Sequence, residues 1–159
     1  MRQNLGTALT VTSTEKWLSY LQAGQTFSKG AALAPGAAFA HIQLYNPAAS
    51  GKTILLRNLF FDIGALVSVH INIDNVARVT DAGAGINMLS GAAAGVGHVR
   101  TEANAAEQGA VFNQWSPLAN TVVKPYSDWV IQLGPAQGVT LVAITNNITL
   151  EAAFQWAEV

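Results

Sequence analysis

The sequence predicts an all-β fold, an antiparallel β-sandwich of jelly-roll-like form, with a short N-terminal arm (1–24) ahead of the body (25–159). Three observations predict it. Apolar and polar residues alternate with a period of two in several short runs, which is the signature of strands with one buried face. Gly, Pro and Asn punctuate the gaps at Ala34-Pro35-Gly36, Ser116-Pro117, Lys124-Pro125, Leu133-Gly134-Pro135 and Thr145-Asn146-Asn147, the residues that turns require. No helical pattern of ten or more residues competes, and many short strands with frequent turns fit two packed sheets.

The arm comes first. Thr10-Val11-Thr12-Ser13-Thr14-Glu15 is polar and β-branched, and Lys16-Trp17-Leu18-Ser19-Tyr20-Leu21 suits one or two helical turns. Thr14 is a suitable cap, and Trp17 and Leu21, four apart, share a face. So short a segment does not fold alone. It packs on the body or reaches to a neighbouring subunit, and Trp17, Tyr20 and Leu21 are its candidate interface residues.

Nine strands are expected in the body: Gln25–Ser28, Ala38–Tyr45, Thr53–Ile63, Val67–Asp74, Val96–Glu102, Ala110–Trp115, Asp128–Leu133, Val139–Ile144 and Leu150–Trp156. In Val67–Asp74 the aliphatics Val67, Val69, Ile71 and Ile73 face one way. Ser68, His70, Asn72 and Asp74 face the other and read as an exposed outer row. In the last strand Leu150, Ala152, Phe154 and Trp156 oppose Glu151, Ala153 and Gln155. Between Ala77 and Ala110 the rhythm breaks into an Ala- and Gly-rich stretch, read equally as a flexible surface loop or as a surface that another chain approaches closely. Gly83 and Gly85 make no dinucleotide fingerprint, because Met88 stands where the third glycine belongs.

Asn46 to Thr53 reads NPAASGKT, close to a phosphate-binding loop. Such a loop needs glycine at the position of Asn46 and a helix directly after the Lys-Thr pair. The run from Ile54 to Phe61 is aliphatic and aromatic and suits a strand. Without a helix start there is no row of free N–H groups to hold phosphate, so the stretch reads as a turn between strands.

Half of the 159 residues are hydrophobic and 11% are charged, against about 25% in an average soluble domain. Interface cores are depleted of Lys, Glu and Asp, so the composition points to an oligomer or an assembly component. The net charge is −1, from 8 basic and 9 acidic residues; with no basic cluster, no nucleic-acid partner is expected. No apolar run approaches the ~20 residues of a membrane helix, and no signal peptide is legible, so no membrane partner is expected. The absence of cysteine removes thiolate chemistry and disulfides.

Candidate reactive groups are sparse. His41, His70 and His98 lack the His-x-His spacing of double-stranded β metalloenzymes. His70 and Asp74 share a face but lie roughly 13 Å apart at strand rise, too far to chelate one ion. Asp62 with Asp74, or Glu102 with Glu107, would need to converge within ~5–10 Å for sugar hydrolysis, and nothing in the sequence brings them together. No catalytic, metal or cofactor site is assigned, and the chain reads as a non-enzyme. Trp115, Tyr126, Trp129 and Trp156 stand beside polar neighbours near strand ends. Core, subunit interface and sugar stacking are all open to them; Trp115 and Tyr126 are the candidate interface residues of the body.

The stretch from His41 to Asn58 resembles the Leu-x-Asn-Pro-x-x-Ser-Gly-Lys segment and aliphatic strand of tailed-bacteriophage virion proteins. Leu133 to Thr140, Asn146 to Leu150 and the Phe154-Gln155-Trp156-Ala157-Glu158 ending look like the closing strands of the same group. The resemblance covers about a third of the chain. It implies a jelly-roll decoration (cement) protein or a head- or tail-fibre module. Such a protein is structural, dimeric or trimeric and without cofactor. It is made in the host cytoplasm and carried on the capsid surface of the virion. The implied partners are a major capsid or other virion protein and the chain itself, with a glycan as partner if it serves as a fibre's receptor-binding module.

Overall fold

The computed structural model describes residues 16–124 and 131–159. Within them a single helical segment, α1 (16–22), precedes the strands β1 (Thr26–Leu33), β2 (Phe39–Asn46), β3 (Ile54–Ile63), β4 (Val69–Asp74), β5 (Thr80–Ala84), β6 (Ile86–Asn87), β7 (His98–Asn104), β8 (Ala110–Trp115), β9 (Ile131–Leu133), β10 (Gln137–Ala143) and β11 (Leu150–Glu158). One sheet has the order β6-β1-β11-β3-β9 and the other β5-β7-β2-β10-β4-β8, with antiparallel pairing throughout. From β1 to β4 each connection crosses from one sheet to the other, and from β8 to β11 it does so again. The two halves interleave as two Greek keys, the arrangement of a jelly roll. The expected all-β sandwich is therefore the observed fold.

The core lies between the sheets. Phe27, Leu56, Leu59, Phe61, Ile63, Leu150, Phe154 and Trp156 from the first sheet meet Ile42, Leu44, Val69, Ile71, Val99, Val139 and Leu141 from the second, all buried. Each contributes about 1.5–3 kcal/mol through burial. In β3 the inward set changes phase, from Ile54 and Leu56 to Leu59, Phe61 and Ile63. A bulge makes this possible: Gln155 pairs with Asn58 and Trp156 with Leu56, which leaves Arg57 as an extra residue. Without that extra residue one half of β3 would turn its apolar side chains to solvent.

Several expectations are corrected. The Ala77–Ala110 stretch is not all loop: it holds β5, β6 and β7, with β7 on the edge of β2 and β6 on the edge of β1, while residues 88–94 stand exposed. Gly85, Gly95 and Gly97 serve the chain's own aromatics. A Cβ at Gly85 would stand 2.3 Å from Cζ2 of Trp156, and one at Gly97 would stand 3.1 Å from its Nε1. The first strand runs on to Leu33, and the fourth begins at Val69 rather than Val67. The NPAASGKT stretch is a turn, as read. Ser50 N–H donates to the Pro47 carbonyl at 3.0 Å, Asn46 Nδ2 donates to the Lys52 and Leu133 carbonyls at 2.8 and 3.0 Å, and β3 follows at once. Arm residues 1–15, Tyr126, Trp129 and the start of the expected Asp128–Leu133 strand lie outside the described residues.

Candidate functional site

Two surfaces gather chemistry-bearing side chains. The first is the outer face of the β7-β2-β10-β4 sheet, where the sequence implies exposed polar residues and the structure buries them. Register sets Gln43, Thr140 and Asn72 side by side across β2, β10 and β4, with His41 and His70 in the adjoining row. His41, Gln43, Asn72 and Thr140 are all fully buried, because the segments 75–79 and 105–109 fold over them. This overturns the reading of Asn72 and Asp74 as an exposed row.

Arg78 is the centre of the layer. Its side chain is 1% exposed and its guanidinium pairs with Asp74 and Gln108, with Glu102 at 3.6 Å. The Gln43 amide is fully used: Nε2 donates to Asp74 Oδ1 at 2.8 Å and to the Val76 carbonyl at 3.0 Å, while Oε1 accepts the Arg78 N–H at 2.9 Å. Thr140 Oγ1 donates to the other Asp74 oxygen at 3.0 Å. On the second covering segment, Glu107 accepts Asn72 Nδ2 and pairs with His70 Nδ1, both at 2.8 Å. Gly138 makes room, since a Cβ there would stand 2.6 Å from Gln43 Nε2. The carboxylates considered in the sequence do not converge as pairs. Asp62 and Asp74 sit on different sheets, Glu102 turns to Arg78 and Asn104, and Glu107 turns to His70 and Asn72.

The electrostatics follow from this enclosure. Burial pushes the His41 imidazole below its ordinary pKa; the Phe39 carbonyl, 3.3 Å from Nδ1, opposes the shift and Arg78 reinforces it. Burial pushes the Asp81 carboxyl up. The Gly83 N–H at 2.7 Å and the His98 ring at 2.8 Å outweigh that and hold it below the usual value. No group of three or more His, Asp or Glu among the described residues is placed to hold a metal ion. The layer's charges are taken up by one another, and chemically it is a clamp that holds two covering segments on the sheet.

The second surface is the outer face of β1-β11-β3. A shallow groove of about 410 Å³ lies there, bordered by Gly30, Ala32, Phe60, Val122, Glu151 and Ala153. Asp62 and Glu151 face each other directly across β3 and β11, and Lys124 Nζ lies 5.5 Å from the Phe60 ring centre.

The predicted interface residues are scattered around these surfaces. Trp17, Tyr20 and Leu21 lie on α1 and are half-buried against the body. Arg57, raised by the bulge, sits over the Trp17 ring at 4.5 Å. Trp115 ends β8 and packs at the margin of the core, and Trp156 is fully buried. Sequence reasoning did not single out Arg78, Gln43 or Glu158. Gly138, near the start of β10, is the one local signal of close approach; a lone Arg in a loop carries none.

No family model matches the chain, and no curated protein or solved structure matches it either.

Proposed function

We propose that this protein is a structural component of a phage virion, decorating the capsid surface by bridging neighbouring capsid subunits as a homo-oligomer. One observation carries the reading: a chain with only 8 basic and 9 acidic residues turns several of them inward instead of leaving them on its surface. Asp74, Arg78, Glu102 and Glu107 serve the polar layer, and Glu158 is buried beneath the Gly95–Gly97 turn. The outer face of β1-β11-β3 carries a patch of Gly30, Ala32, Phe60 and Ala153, and Leu18, Leu66, Leu118 and Val122 also stand exposed on the surface, a composition suited to extended protein contact. The jelly-roll-like order is also one that viral shell proteins use, and the virion resemblance of the Asn46–Lys52 turn and the closing strand points the same way.

Co-sedimentation with capsids stripped of this protein tests the reading. Saturable binding at a fixed ratio per capsomer is the expected result, and deletion of residues 1–24 should weaken it. Absence of binding to intact particles would sink it.

A receptor-binding or glycan-binding module of a fibre is the second reading, favoured by the exposed Phe112 on edge strand β8, which Trp115 ends. A glycan-array signal lost in Trp115→Ala would select it.

A further inference from the structure

We infer that the outer face of β1-β11-β3 is where two copies of this chain meet. They pack face to face about a two-fold axis that crosses the strands at the Gly30–Ala153–Phe60 row. This rests on the homo-oligomer part of the proposed function and names its surface.

Register defines three rows on this face: Ser28–Gln155–Asn58, Gly30–Ala153–Phe60 and Ala32–Glu151–Asp62. The middle row is apolar, and two of its three residues, Gly30 and Ala153, are small. A Cβ at residue 30 would stand 3.5 Å from the Ala153 Cβ, so the surface over Gly30 and Ala153 is low enough for another sheet to come close. Sheets stack about 10 Å apart, with strands nearly aligned.

The outer rows decide the partner. Glu151 and Asp62 are like charges directly opposite each other, an arrangement that is unfavourable on an isolated sheet. Neither makes an ion pair with a described residue, and among the described residues Asp62 accepts only the N–H of its own neighbour Ile63, at 2.6 Å. The row on the other side of the axis supplies donors. Asn58 Nδ2 already donates to Gln155 Oε1 at 2.8 Å, and Gln155 Nε2 has no acceptor among the described residues. A two-fold axis across the strands reverses the row order, so the carboxylate row of one copy lies over the amide row of the other, twice. An axis along the strands would set carboxylates against carboxylates. Lys124, exposed beside Phe60, is long enough to reach the partner's carboxylate row. The same operation brings the α1 end, with exposed Leu18, toward the partner's end that carries exposed Leu66 and Leu118. Polar complementarity and apolar flanks thus agree on one geometry, an isologous dimer.

Sedimentation equilibrium of the full chain tests it, together with Ala153→Glu and Phe60→Glu, each checked by circular dichroism for an intact sheet. The wild type should be dimeric at about 10 µM, a range in which specific homodimers persist. Both variants should be monomers of unchanged fold, because each sets a carboxylate against its own copy at the axis. A monomeric wild type, or folded variants that stay dimeric, would overturn the proposal. The chain has no cysteine, so single thiols report the geometry. A bismaleimide spanning about the ~10 Å sheet spacing should cross-link Ala153→Cys, on the axis, and leave Glu151→Cys uncrosslinked; the reverse would refute this axis. A wild-type monomer that dimerises once residues 1–15 are deleted would give the face to the chain's own N-terminal segment and refute the second copy as its occupant. Capsid binding plays no part in these readouts, so the dimer and the capsid reading fail separately.

Discussion

Trp156 donates its indole N–H to the Glu158 carboxylate at 3.0 Å, two residues along the same inward face of β11. The same carboxylate accepts the backbone N–H groups of Val96 and Gly97, each at 2.9 Å. The last strand thereby anchors the turn of small residues that leads into β7, and the indole closes the core beneath it, with the Phe27 ring 6.1 Å away.

Replacing Glu158 with Ala should destabilise the protein by about 3 kcal/mol, since three donors lose a charged acceptor and buried unsatisfied donors cost about 1–3 kcal/mol each. Urea unfolding gives the value. Hydrogen exchange should show the Val96 and Gly97 amides losing protection ahead of those in β10. Unchanged protection at these two amides would contradict the anchoring role.

Gly85→Ala should be markedly destabilising and Gly51→Ala only mildly so, though both look like loop glycines. At Gly85 the new methyl would meet the Trp156 ring at 2.3 Å, an overpacking effect of about 1–3 kcal/mol or more. At Gly51 nothing stands within 4 Å, and only the positive φ of 62° resists the side chain, worth about 1 kcal/mol. Equal thermal shifts for the two would refute the packing account of the glycine-rich stretch.

Arg78→Ala should be among the most damaging single changes to the polar layer. It leaves Asp74 and Glu102 without the guanidinium they share, and removing one partner of a buried pair costs about 3–5 kcal/mol. Proteolysis should then cut first in 75–79 or 105–109, the covering segments. A variant as stable as wild type would show that the pairing adds nothing net.

Stability should fall on mild acidification, with His41 as one source. Burial holds its folded pKa below the ordinary imidazole value, so the unfolded chain binds a proton first. The contribution is complete above the unfolded value and is lost as pH falls through it toward the folded one. The groups facing it are Arg78 from the covering segment and Glu102 from β7. Asp81 adds a second, more acidic window: its folded pKa is depressed below 3.8, and its stabilisation disappears as pH falls through that range. His41→Leu should flatten the curve between neutrality and pH 6 (about half a unit below the free imidazole value) and leave the acidic limb intact. An unchanged upper limb would remove His41 from the account.

The sequence by itself determined the class of fold and most of its strands, because alternation and turn residues are local physics. Val69 and Ile71 declare an inner face, and Asn46-Pro47 with Ser50-Gly51 declare a turn, whatever surrounds them. Only the tertiary structure decided which outer faces meet water. Gln43, Asn72 and Thr140 alternate like solvent-facing residues and are buried nonetheless, because Arg78, a lone charge in a loop, arrives from another part of the chain. The Gly85 and Gly97 stretch reads as loop until Trp156, some sixty residues on, is packed against it. The paired carboxylates Asp62 and Glu151 become neighbours only through the β3–β11 register. Such contacts depend on which strands are adjacent, and adjacency is set by the global arrangement of both sheets, which no local window of sequence contains.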